Sequence, residues 1–115
     1  MTATAPPFDR AKVLENLGGD EELLTEIAGL FVSAWPETLA KLDASLAAAD
    51  AGSLRAAAHA LKGAVANFCA DGAVQAAKRL EMTSKTGDLS GAAAQLDEVV
   101  VAVEELITAL DGQLR

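Results

Sequence analysis

The sequence predicts an all-α domain, and three observations carry that prediction. Apolar residues recur at spacings of three and four along most of the chain. Alanine is the largest component of an apolar fraction of 51%, and the aromatics are three Phe and one Trp, a composition that favours helices packed closely over a thin core. No run of eight residues alternates β-branched or aromatic residues with polar ones in the manner of a strand. The architecture expected is an antiparallel up-and-down four-helix bundle with one or two additional N-terminal helices.

Residues 1–7 are small, proline-containing and aperiodic, and are expected to be disordered; residues 8–115 form one domain. A short first helix runs from about Phe8 to Leu17 and stops at Gly18 and Gly19, because glycine readily takes the left-handed conformation that ends helices. Asp20 caps the second helix, with Glu21 and Glu22 favourably placed against its dipole, and this helix extends to about Ala34. Pro36 marks either a kink or the first turn of a third helix, which ends near Ala49 and carries Leu39, Leu42 and Leu46 inward.

Asp50 or Ser53 caps a fourth helix that closes near Ala70, before Asp71 and Gly72. A fifth runs from about Ala73 to Ser84, with Ala77 and Leu80 facing the core. After the break at Gly87 and Asp88 a sixth begins near Ser90, with Leu96, Val99, Val103, Leu106 and Leu110 on one stripe. The third to sixth helices are expected to form the bundle and the first two to cover one side. The second helix carries two apolar stripes, Leu23, Ile27, Leu30 and Ala34 on one and Leu24, Ala28, Phe31 and Trp35 on the other. One stripe packs on the bundle; the other packs too or stays open for a partner.

A formal net charge of −8 excludes nucleic acid as the partner, since phosphate binding needs a basic face. The stretch from Ala51 to Ala70 nevertheless carries only Arg55 and Lys62 as charges, so an acidic partner site is drawn to that helix. No segment is apolar for long enough to cross a membrane, and the N-terminus has neither the basic start nor the apolar core of a secretion signal. A single cysteine, Cys69, fits a reducing compartment, and a cytoplasmic location is expected.

The only histidine, His59, lies on the fourth helix, opposite its apolar stripe. At about 100° per residue, Leu54, Leu61, Val65 and Phe68 cluster across the helix from His59, while Arg55, Lys62, Gly63 and Ala66 fall within about 60° of it. The imidazole therefore points at water, flanked by two cations, which disfavour a further positive charge on the ring. Gly63, almost directly above it, weakens the helix by about 1 kcal/mol relative to alanine. Its phase points away from the core, so the absent side chain leaves room over the histidine.

No histidine, cysteine or carboxylate stands three or four residues after His59 to share a metal, and no Asp or Glu on its own helix is placed to orient the ring. No glycine-rich phosphate loop is present either, so no ATP site and no autonomous kinase are expected.

The segment AHALKGAVANFCA, residues 58–70, closely resembles the motif of histidine-containing phosphotransfer (Hpt) domains, which runs A-H-x-L-K-G-x-x-x-N-x-G-A. Ala58, His59, Leu61, Lys62, Gly63, Asn67 and Ala70 match; Cys69 stands where the family has glycine, which implies that the helix ends differently, a residue or two later. The flanks GGDEELLTEIAGLF, RLE and TGDL extend the resemblance over nearly the whole chain.

The resemblance implies a phosphocarrier and not an enzyme. His59 is the phosphoacceptor, Lys62 contacts the phosphoryl oxygens, Gly63 gives steric access and Asn67 is structural. Arg55, Ala56 and Ala66, with Phe31 and Trp35 of the second helix, are the candidate partner contacts. The donor it implies is the receiver domain of a hybrid histidine kinase and the acceptor the receiver of a response regulator, each bringing its own Mg²⁺, with no cofactor or metal site in this chain and a monomeric state. Two other readings stay open: a helical adaptor that binds a signalling protein without being phosphorylated, and an isolated phosphoacceptor domain of a chemotaxis-type kinase.

Overall fold

Three aspartates start three helices in the same way. In a computed structural model that describes residues 7–114, Asp9, Asp20 and Asp50 each turn a carboxylate back to accept the amide three residues on, at 3.1, 3.0 and 3.0 Å. They open α1 (Arg10–Asn16), α2 (Glu21–Ala47) and α3 (Ala51–Ala66). α4 (Asp71–Thr86) ends on Gly87 at φ +78°, and the Asp88 carboxylate accepts the Ser90 amide in the turn that leads to α5 (Ala92–Gln113). The segment expected to be disordered lies, apart from Pro7, outside the described residues.

The second and third helices of the sequence-based expectation are one helix of 27 residues, with Pro36 inside it. Proline supplies no N–H to the carbonyl of Val32 and crowds it, a penalty of about 3 kcal/mol. The helix persists because the bundle holds both sides of the break. Trp35 and Leu42 are buried and Leu39 packs against the core, while Pro36 faces solvent.

The four-helix bundle is therefore α2 to α5, and α1 is its one addition. Connections of three, four and five residues join its helices, short enough to force antiparallel neighbours. α2 packs on α3, α3 on α4, α4 on α5 and α5 on α2, which closes the ring. Leu54, Leu61, Val65, Phe68, Ala77, Leu80, Leu96, Val99, Val103, Leu106 and Leu110 meet in the core, as their spacing predicts. Val13 anchors α1, and Arg10 ties its start to Glu21 of α2 and to Gln113 of α5.

The histidine helix ends earlier than expected, at Ala66, with Asn67 as its C-cap. Cys69 then takes a left-handed backbone at φ +52° and returns the chain to α4. That conformation is what glycine supplies freely, so the cysteine keeps the turn of the glycine motif and does not lengthen the helix. Among the described residues, no helix is long and apolar enough to cross a membrane.

Candidate functional site

The site is built where α3 passes α4. Along α3 the buried residues Leu54, Ala58, Leu61 and Val65 fix the helix phase, and this phase turns His59 outward, with 67% of its side chain exposed. Along α4 the inward residues are Ala73, Ala76, Ala77, Leu80 and Ser84, and among them lies a carboxylate, Glu81, whose side chain is only 6% exposed.

Glu81 links the two exposed-face residues of α3. Its Oε2 is 2.6 Å from His59 Nδ1, and its Oε1 accepts a hydrogen bond from Lys62 Nζ at 2.6 Å. The Lys62 hydrogen bond, opposed by burial and assisted by His59, holds the Glu81 carboxyl below its ordinary value of 4.5. An ionised carboxylate only accepts, so Nδ1 must carry the ring proton and donate it to Oε2. The other ring nitrogen, Nε2, makes no hydrogen bond among the described residues, on a side chain that is 67% exposed. A neutral ring in this arrangement presents Nε2 as its nucleophilic nitrogen, held by a buried carboxylate that two charge-assisted hydrogen bonds compensate.

This geometry adds a group from outside the histidine's own helix. An acidic residue does orient the ring, but it comes from the neighbouring helix. The charge closest to the imidazole is that carboxylate, and Lys62, one of the two expected cations, is engaged with the same group. The signal in the sequence was a glutamate set beside Leu80 and one turn beyond Ala77 on a largely apolar face.

Gly63 points into open space: a Cβ added there would meet nothing within 4 Å. The glycine therefore serves no close helix contact. Arg55, Ala56 and Ala66 are exposed on the same helix, and Arg55 has no ion-pair partner among the described residues. Asn67, expected to be structural, is the exposed C-cap of α3, and its side chain makes no hydrogen bond among the described residues.

The two stripes of α2 divide. Trp35, expected among the partner contacts, is 7% exposed and packs with Leu24 and Ala28 in the core, because the bundle needs that stripe for α2 to close the ring. Phe31 is half-buried and meets Phe68 edge to face, with centroids 5.5 Å apart. The other stripe stays open: Leu30 is 66% exposed. With Ile27, Phe31 and Ala34 it forms one wall of an apolar groove of about 450 Å³, whose opposite wall is Ala60 and Ala64. His59 immediately precedes Ala60 on α3.

The family model of the Hpt domain matches residues 26–113. This chain belongs to the Hpt domain family. The crystal structure of histidine-containing phosphotransfer protein B (HptB) from Pseudomonas aeruginosa superposes on it with a TM-score of 0.88, at 26% identity, over 96% of this chain and 96% of that one. No curated protein sequence matches it. Hpt proteins are phosphocarriers that pass phosphoryl groups between receiver domains, and this Hpt chain has a histidine phosphotransfer role in a phosphorelay. Among its described residues no group of three or more His, Cys, Asp and Glu is arranged to hold a metal.

Proposed function

We propose that His59 Nε2 is the phosphoacceptor, charged by the aspartyl phosphate of a hybrid kinase receiver and discharged to the receiver of a response regulator. The observation that carries this reading is the Nδ1 contact to Glu81, which leaves Nε2 as the nitrogen that carries the lone pair when the ring is neutral. Nε2 attacks phosphorus in line; the P–N bond forms as the acyl phosphate P–O bond breaks, and the aspartate leaves as carboxylate. The ring keeps its Nδ1 proton and gains positive charge, which the adjacent Glu81 carboxylate stabilises. Transfer onward reverses these steps.

Lys62 Nζ exchanges its bond to Glu81 for the phosphoryl oxygens, and open space over Gly63 admits the partner's loop. The apolar groove lined by Leu30 and Ala60 receives the receiver's docking face, in place of the expected Trp35 contact. From Ala51 to Thr86 five cations face two carboxylates, a local excess that suits the acidic pocket of a receiver in an otherwise acidic chain. The chain acts as a monomer in the cytoplasm, with no ATP site or cofactor of its own; Mg²⁺ belongs to the receiver.

The test is transfer from a panel of phosphorylated receivers to the wild type and to His59→Gln, scoring label that is acid-labile and alkali-stable. Label on the wild type alone is expected, with both proteins equally folded, since an exposed side chain contributes little stability. Label on both proteins would move the acceptor elsewhere. Binding without label on either would leave the adaptor reading in its place.

A further inference from the structure

A second groove, of about 690 Å³, lies across the ring from the first, between α4 and α5 and beneath the turn that joins α3 to α4. Its size is that of a ligand or peptide cleft, about 300–1,000 Å³. Ala73, Ala102 and Val101 line it with apolar surface, and Val101 is 58% exposed, one of the few large hydrophobics left in solvent. Five carboxylates border it: Asp9, Asp71, Asp97, Glu98 and Glu105.

Two of these are already engaged, Asp9 in capping α1 and Glu98 with Arg79 at 3.4 Å. Asp71 sits in the first turn of α4, where the helix dipole stabilises it. Asp97 and Glu105 have no ion pair among the described residues. With Val101 they follow one another at intervals of four on α5, so the two carboxylates stand about 12 Å apart along the axis with an apolar side chain between them.

The geometry points to this groove as a second docking surface, for a basic amphipathic segment of a partner protein that sets an apolar side chain between two lysines or arginines. Charge complementarity selects the occupant: an anionic membrane or a nucleic acid is repelled by the same rim, and an apolar helix leaves the carboxylates unpaired as they lose water. The groove shares no lining residue with the one between α2 and α3, and His59 lines neither. A partner seated in it leaves the histidine open to receivers, so the chain binds two partners at once.

The experiment titrates the isotope-labelled full chain with a synthetic helical peptide carrying lysines at i and i+7 and leucine at i+4, and with its glutamate-for-lysine counterpart. Amide shifts centred on Ala73, Asp97, Val101 and Glu105 are expected with the lysine peptide only. The double variant Asp97→Lys, Glu105→Lys is expected to weaken binding by about tenfold or more. The exposed control pair Glu26→Lys, Asp43→Lys is expected to change it by less than about twofold. No binding, shifts scattered over every acidic surface, or equal weakening by the control pair would overturn the proposal. Phosphoryl uptake is expected to be unchanged at saturating peptide; inhibition would place the peptide on the histidine face and overturn the claim of a separate surface.

Discussion

Glu81 Oε2 stands 2.6 Å from His59 Nδ1, although the two residues are on different helices and 22 positions apart. The contact decides which imidazole nitrogen is available for chemistry. Glu81→Ala is expected to release both tautomers and slow phosphoryl uptake by about tenfold or more, as when an orienting carboxylate is lost from a catalytic histidine. Nitrogen NMR of the ring is the check: Nδ1–H dominates in the wild type, the phosphoryl group is found on Nε2, and the variant shows a mixture. A wild type with the proton on Nε2 would sink this account.

The same carboxylate makes stability depend on pH. Lys62 chiefly, with His59 assisting and burial opposing, holds Glu81 below 4.5 in the folded protein. A depressed folded-state value means that the ionised group contributes stability fully above the unfolded value, and this is lost as pH falls through the folded one. The melting temperature of the wild type is expected to exceed that of Glu81→Gln above pH 4.5 and to lose that margin on further acidification. A margin independent of pH would contradict the ion pair.

Gly63 separates stability from activity. A Cβ there meets nothing within 4 Å in the free protein, and replacing a mid-helix glycine with glutamine is expected to stabilise the fold by up to about 1 kcal/mol. The same substitution places bulk over His59 and is expected to slow transfer from receivers. Thermal melts and single-turnover transfer on one preparation test both, and an unchanged rate would refute the steric role.

Two turns hold non-glycine residues in left-handed backbone, Ala49 and Cys69, both at φ +52°. Ala49 is exposed, so Ala49→Gly is expected to relieve strain at no loss of packing and to raise stability by about 0.5–1 kcal/mol. Cys69→Val puts a β-branched side chain in the same conformation and is expected to lower stability by more than about 1 kcal/mol. Chemical denaturation measures both; a stabilised valine variant would show that the turn has another shape.

Much of this was legible from the chain alone. Asp20 and Asp50, the glycines at 18 and 87, and the spacing from Leu96 to Leu110 define helices because capping and the 3.6-residue period act within a few residues. The exposure of His59 beside Lys62 and Gly63 follows from the phase of a single helix. Tertiary structure alone decided the rest. Glu81 reaches His59 because α4 packs on α3; α2 runs unbroken through Pro36 because neighbours hold both of its halves; Trp35 is buried while Leu30 stays open because the bundle covers one stripe of α2 and leaves the other. Each of these depends on how one helix is set against another, and that is fixed by core packing among residues far apart in sequence, which no local period encodes.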